Sequence, residues 1–213
     1  MDCLETIELE QGVKAHLYVD PEPENPRTEW DHAGKMVCWH SRYDLGDKHS
    51  YQTSNDFLRD LAAAIWHRTR KIDFDDELTD EKCWDIICED CVILPLNLYD
   101  HSGISMSTSR EYPYNDQWDA GQVGWIYMDK PTMKKEGMSR RQALAYLLCE
   151  VETYDQYLTG EIYGYVVETP DDDNVDSCWG FFGLEHARKE AKSAAAYYVK
   201  EYADPERYLA EAI

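Results

Sequence analysis

The chain has 213 residues, 43% of them hydrophobic, and it includes 16 tyrosines and 7 tryptophans. That apolar content is enough for a packed core and argues against a disordered chain. The 43 Asp and Glu residues outnumber the 21 Lys and Arg residues, for a net charge of −22. So negative a chain repels phosphates and anionic lipids, which argues against ordinary binding to nucleic acid or to a membrane surface.

The first 30 residues predict a short strand followed by a loop. Residues from about 13 to 19 suit a strand, and the three prolines within 21–26 indicate a loop because proline lacks a backbone donor and has a fixed φ. We therefore expect an N-terminal strand and proline-rich loop over residues 1–30. The remainder, 31–213, is expected to be a single α+β domain.

Four helices and five further strands are predicted along that domain. Capping residues and apolar spacing indicate helices over about 54–69, 79–89, 139–159 and 184–202. The first helix is expected to begin at Ser54, the second at Thr79 and the third at the Ser139–Gln142 capping box, and Gly160 is expected to end the third. Short aromatic and β-branched segments indicate strands over 35–40, 92–99, 122–128, 162–168 and 176–179. Because helices and strands do not alternate regularly, the expected fold is α+β, with helices packed on a mostly antiparallel sheet.

The cellular compartment is indicated by what the sequence lacks. The longest apolar runs are too short to span a bilayer, and the acidic N-terminus has no secretory pattern. The seven cysteines are an odd number, which favours reduced thiols over a disulfide framework. We expect a cytoplasmic protein.

Acidic residues are concentrated in three clusters. The 46 residues from 142 to 187 contain no Lys or Arg, and two further clusters lie within 73–90 and 2–29. Segregated like charge costs self-repulsion, so it usually persists for a reason other than folding. The carboxylates that we expect to contact a partner are Asp73, Asp75, Asp76, Glu77, Asp80, Glu81, Glu168, Asp171, Asp172, Asp173 and Asp176.

The segment from Tyr99 to Gly103 contains the residue types of a hydrolase triad. In an extended segment Asp100 and Ser102 face away from His101, so the three cannot form a triad together. His101 could instead pair with Cys178, supported by Asp100 or Gln122. The competing interpretation makes His101 a hydrogen-bonded turn residue and Cys178 a small buried hydrophobe. Our first hypothesis is that the protein has no catalytic residues, and this Cys/His pocket is the alternative.

No metal or cofactor is expected. A structural zinc site needs four ligands, and only Cys88 and Cys91 form a close pair, so these and Cys83 are predicted to be core thiols. Residues 171–174 lack the alternating ligands and terminal Glu of a calcium loop. Residues 121–124 lack a phosphate-binding pattern.

Five segments carry a family resemblance. They are MVCWHSRYDLGD from Met36, LPLNLYDHSGI from Leu94, WDAGQVGWIY from Trp118, YDQYLTG from Tyr154 and DSCWGFFG from Asp176. In this order they resemble a widespread family of small uncharacterised proteins encoded by bacteriophages and mobile elements, over about residues 35 to 185. The resemblance implies a genomic setting without an assigned activity.

A phage setting, as this resemblance implies, gives the acidity a possible role. Small, very acidic phage proteins often occupy the DNA- or RNA-binding surface of a host defence enzyme, whose Lys and Arg side chains then engage carboxylates in place of phosphates. We therefore expect an anti-defence protein that acts in the host cytoplasm as a nucleic-acid mimic, against a basic restriction or CRISPR enzyme, without binding nucleic acid itself. The alternative is an enzyme or small-ligand-binding protein with the Cys/His pocket.

Overall fold

The computed structural model describes residues 2–70, 79–109, 120–172 and 174–203. It contains two antiparallel four-stranded sheets with helices packed against them, which confirms the predicted α+β class. The helices are α1 (Pro26–Glu29), α2 (Ser54–Arg70), α3 (Asp80–Asp90), α4 (Lys130–Lys135), α5 (Arg140–Thr159) and α6 (Leu184–Tyr202). The strands are β1 (Glu5–Glu8), β2 (Lys14–Val19), β3 (Lys35–Cys38), β4 (Cys91–Asp100), β5 (Ile104–Ser107), β6 (Ala120–Asp129), β7 (Ile162–Glu168) and β8 (Asp176–Phe182).

The chain forms two compact units. The terminal unit comprises Met1–Glu24 and Gln156–Ile213, and the central unit is Asn25–Asp155. This division differs from the expected one at residue 30, because β2 pairs along its whole length with β7 and so places the N-terminal strand in one sheet with the C-terminal part of the chain. The proline-rich loop does fall at the first boundary between the units.

In the terminal unit the sheet order is β1-β2-β7-β8, and α6 covers one face. Ala187, Ala191 and Ala195 are fully buried at intervals of four residues, so α6 presents a line of small side chains to the sheet. They pack against Leu17 and Val167, among other residues of the same face. Alternation along the strands places the intervening side chains on the face away from α6.

In the central unit the sheet order is β3-β6-β4-β5, and α2 and α3 pack on one face. Phe57, Ile65 and Ile87 from the two helices meet Val37 of β3 in this core. α5 is held to the unit by hydrogen bonds near both of its ends, from Arg140 to the Cys91 carbonyl (2.6 Å), from the Gly46 amide to the Tyr154 hydroxyl (3.1 Å) and from the Met106 amide to Asp155 (2.6 Å). In the described parts of the chain, no helix is long and apolar enough to cross a bilayer.

Local capping explains where the helices begin. Thr79 accepts a hydrogen bond from the Lys82 amide, and Ser139 and Gln142 form the predicted capping box. α2 is capped one residue earlier than predicted: Thr53 and Asp56 bond to each other's backbone amides, while the Ser54 hydroxyl accepts a hydrogen bond from the Trp125 indole (2.8 Å).

Candidate functional site

α3 carries a line of carboxylates on its exposed side. Glu81, Asp85 and Glu89 are spaced four residues apart and therefore lie on the same side of the helix. The opposite side is buried through Cys83, Ile86, Ile87 and Asp90. Among the described residues, no cation pairs with any of the three carboxylates. We call them the α3 acidic stripe.

The other expected contact residues of this region have different surroundings. Asp80 is exposed but pairs with Arg59 of α2, with 3.2 Å between Oδ1 and Nη1. Asp73, Asp75, Asp76 and Glu77 lie outside the described residues, as does Asp173. Glu81 is thus the one expected residue of this cluster that the structure places on the helix with its carboxylate unengaged.

The expected contact residues near β7 and β8 take part in local structure. Glu168 accepts hydrogen bonds from Lys14 Nζ and His16 Nε2, both at 2.8 Å, and these contacts hold the pKa of Glu168 below its usual value. Asp171 accepts from the Tyr202 hydroxyl (3.0 Å), and the carboxylate of Asp172 accepts from the Asn174 amide (3.0 Å). Asp176 is half-buried at the start of β8. These carboxylates are therefore less available to a partner than their sequence cluster indicates.

The residues of the alternative Cys/His pocket are divided between the two units. Asp100 and Gln122 line one depression of about 360 Å³ in the central unit, where Asp100 pairs with Arg42 and accepts from the Tyr43 hydroxyl (3.4 Å). His101 is exposed in the turn between β4 and β5, and its amide donates to the Gly103 carbonyl. Cys178 belongs to the terminal unit and is exposed, not buried.

A larger depression, of about 710 Å³, lies beside the loop between β3 and α2. We call it the loop cavity. Trp39, His40, Lys48 and His49 are among its lining residues. His49 Nε2 donates to the Cys38 carbonyl (2.7 Å), which leaves Nδ1 as an acceptor. Within the described residues this buried nitrogen has no hydrogen-bond partner, and a buried acceptor without a donor is costly.

Buried ion pairs fix the base of this loop. The Arg27 side chain is 1% exposed and bonds to Asp47, to Glu150 (2.9 Å) and to the Gly34 carbonyl (3.0 Å). Asp47 also accepts from the Met36 amide (2.8 Å), which ties the end of the loop back to β3. Sequence reasoning missed this network because its members are up to 123 residues apart and carry no common motif.

The thiols of the expected core group do not share one environment. Cys83 and Cys91 are buried as expected, and burial raises the pKa of Cys91 to about 12. Cys88, which was also expected in the core, is exposed on the outer side of α3 because its neighbours Cys83, Ile87 and Cys91 occupy the inner side. In the described part of the chain, no three His, Cys, Asp or Glu side chains are arranged to hold a metal ion.

Comparison with known proteins gives no relative. No protein-family model, no curated protein and no solved structure matches the chain.

Proposed function

We propose that the protein inhibits a basic nucleic-acid-binding enzyme of a bacterial defence system, of the restriction or CRISPR type, by presenting carboxylates in place of phosphates. The α3 acidic stripe is the observation that supports this proposal. It offers three exposed carboxylates without a cation partner in the described residues, on a chain whose net charge is −22. The partner is a protein with a Lys- and Arg-lined groove in the host cytoplasm, and the inhibitor performs no chemistry on it.

The spacing of the stripe suits such a groove. Four residues of α-helix rise about 6 Å, while one strand of B-DNA carries a phosphate about every 3.4 Å along its axis. The stripe is therefore a less dense line of charge than a DNA strand, but of the same order. Long, flexible Lys and Arg side chains can bridge that difference.

The position of the negative charge on α3 also supports a role outside folding. Glu89 lies in the last turn of the helix, and that turn contains no basic residue. The C-terminal end of a helix carries partial negative charge, so a carboxylate there lowers the stability of the helix. Asp80 and Glu81, at the other end, favour the helix for the same reason.

Charge reversal of the stripe tests the proposal. The tagged protein is used to capture partners from a bacterial lysate, the eluate is assayed for nuclease activity, and the captured nuclease is then titrated with inhibitor. We expect wild-type protein to inhibit the nuclease and the triple variant Glu81→Lys, Asp85→Lys, Glu89→Lys to bind at least about tenfold more weakly. Raising the salt concentration from about 0.05 to 0.5 M should weaken the wild-type complex.

A matched variant separates local from bulk charge. Glu8→Lys, Glu10→Lys, Glu22→Lys changes the net charge by the same amount at exposed positions of the terminal unit. This control should retain most of the affinity. Equal losses in the two triple variants, or binding that is indifferent to salt, would refute the α3 acidic stripe as the contact surface.

The loop cavity favours a second candidate, a small-ligand-binding protein. The buried, unpartnered acceptor of His49 is the observation behind it. A thermal-shift screen against a library of small metabolites tests this candidate, because His49→Gln leaves the α3 acidic stripe intact. A compound that raises the Tm of the wild type but not the Tm of His49→Gln would favour the cavity.

A further inference from the structure

One face of the terminal sheet, turned away from α6, carries a row of polar side chains. Thr6 of β1 lies opposite His16 of β2, and Lys14 of β2 lies opposite Glu168 of β7. Because side chains alternate along each strand, all four are on the face opposite Leu17 and the α6 core. Cys3, just before β1, is exposed beside them.

These side chains form a continuous chain of contacts. Cys3 Sγ lies 3.6 Å from Thr6 Oγ1 and 3.9 Å from His16 Nδ1. Thr6 Oγ1 lies 2.9 Å from His16 Nδ1, and His16 Nε2 lies 2.8 Å from Glu168 Oε2. Lys14 Nζ contacts the other oxygen of Glu168 at 2.8 Å. We call this set the Cys3 relay.

The chemistry of the groups gives the relay a direction. The Lys14 and His16 contacts hold the pKa of Glu168 below its usual value, so Glu168 is a carboxylate and only accepts. His16 must then donate from Nε2, which leaves Nδ1 to accept the Thr6 hydroxyl proton. The Thr6 oxygen is in turn free to accept from the Cys3 thiol. A proton leaving the sulfur therefore has a path to an imidazole that a carboxylate supports, as in Cys/His nucleophiles.

Two further groups approach the same sulfur. The Glu5 carbonyl oxygen lies 3.3 Å from Cys3 Sγ and competes for the thiol proton. The Tyr18 hydroxyl is the second group: burial raises the pKa of Tyr18, and the charge of Cys3 and a hydrogen bond to Cys3 raise it further. A hydroxyl donor next to the sulfur stabilises a thiolate once the proton has moved.

The other exposed cysteines lack these surroundings. Cys88, Cys149 and Cys178 are exposed as well, but among the described residues none of them has a histidine within hydrogen-bonding distance. In the described part of the chain, the thiol of Cys178 contacts the Trp179 carbonyl at 3.9 Å. The reaction rates of these three cysteines therefore serve as internal references for the effect of the relay on the reaction rate of Cys3.

We infer that Cys3 is a nucleophilic thiol and a site of modification by low-molecular-weight disulfides, with Thr6 and His16 receiving its proton. The Cys3 sulfur attacks one sulfur of the disulfide RS–SR, and a Cys3–S–S–R bond forms as the RS–SR bond breaks. The departing thiolate takes the proton that the relay received. The products are the mixed disulfide and RSH, and the disulfide is the only oxidant.

The charge of the molecule selects among disulfides. Asp2 is exposed next to Cys3, and the whole chain carries a net charge of −22. An anionic disulfide is repelled and a cationic one is attracted. Cystamine, which carries two ammonium groups, should therefore react faster than glutathione disulfide.

The test measures the modification rate of each cysteine in the full chain. Reduced protein is mixed with cystamine or glutathione disulfide at pH 7, quenched with acid and digested, and the mixed disulfides are quantified by peptide mass spectrometry. We expect Cys3 to react with cystamine about tenfold faster than Cys149 or Cys178, as positioned proton acceptors permit. His16→Gln and Glu168→Gln should bring Cys3 to within about twofold of those references.

Two variants keep the result interpretable. Glu10→Gln removes an exposed carboxylate from the same unit at a position outside the relay, and Cys3 should react as in the wild type. Thr6→Val keeps a β-branched residue in β1 but removes the hydroxyl, so it should slow the reaction of Cys3 with cystamine. This variant tests the relay independently if His16→Gln fails to fold. The inference is overturned if Cys3 reacts no faster than Cys149 and Cys178, or if Thr6→Val leaves its rate unchanged.

Discussion

Arg27 is a buried cation that joins three separate segments of the central unit. Its guanidinium is bonded to two carboxylates and one carbonyl while its side chain is almost wholly buried. Burying a cation is costly unless its donors are satisfied, and these partners satisfy them. The pair of Arg42 and Asp100 makes the same kind of contact at the surface, where the Arg42 side chain is 67% exposed, and water screens it so that it contributes less.

Replacing Arg27 by methionine should therefore destabilise the protein strongly. Arg27→Met leaves Glu150, which is 10% exposed, without its cation, and we expect a loss of about 3–5 kcal/mol in the free energy of unfolding. Arg42→Met, the matched control, should cost less than about 1 kcal/mol. Urea unfolding followed by tryptophan fluorescence gives both values. Similar costs for the two variants would show that the Arg27 network is not a stabilising element.

β3 lies close to β6 because Gly124 of β6 has no side chain. A Cβ added at Gly124 would lie 2.2 Å from the Val37 carbonyl oxygen. The register of β4 and β6 shifts at this point, since Leu96 pairs with Gly124 and Asn97 with Gln122. Such a β-bulge bends the strand and sharpens its twist. Gly124, two residues from Gln122, is therefore required by the sheet, which explains part of the GQVG segment without any ligand.

Replacing each of two glycines of β6 by alanine tests whether the close approach of β3 leaves no room for a side chain at Gly124. Gly124→Ala meets backbone atoms that cannot move aside, so we expect at least about 1–3 kcal/mol of destabilisation. A Cβ at Gly121 meets nothing within 4 Å, and Gly121→Ala should be neutral or stabilise by up to about 1 kcal/mol through the lower entropy of the unfolded chain. Thermal unfolding of the pair measures the difference. An equal effect at both positions would contradict the close approach.

The elements themselves were largely predictable because their signals are local. Thr79, the Ser139–Gln142 box and Gly160 lie where the sequence indicates helix ends, and α6 has the predicted bounds. β1 and β5, four residues each, and the short helices α1 and α4 were missed. Four residues contain too few apolar positions to establish a period, and β1 and β5 form only because a partner strand is present.

At the scale of the whole molecule, excess negative charge should act on folding and on binding in opposite directions. Like charges at close range lower the stability of the folded chain, and salt screens them. At pH 7 we therefore expect the Tm to rise by several degrees as sodium chloride is raised from about 0.05 to 0.5 M, while the complex with the proposed partner weakens. Differential scanning calorimetry provides the Tm.

The control for this prediction is pH. Near the sequence pI of about 4.5 the net charge vanishes, and the effect of salt on the Tm should largely disappear. A salt effect that persists at this pH would mean that the stabilisation is not relief of self-repulsion.

The sequence by itself determined the α+β class, most helix and strand positions and the total charge, because these depend on composition and on residues close together in the chain. Only the tertiary structure decided which carboxylates are engaged: Glu150 and Glu168 neutralise cations more than 100 residues away, whereas Glu81, Asp85 and Glu89 stay exposed. It also decided that Cys178 lies in a different unit from His101, and that Cys3 approaches His16 instead. Strand pairing brings such groups together, and local sequence carries little information about which distant strand will be the partner.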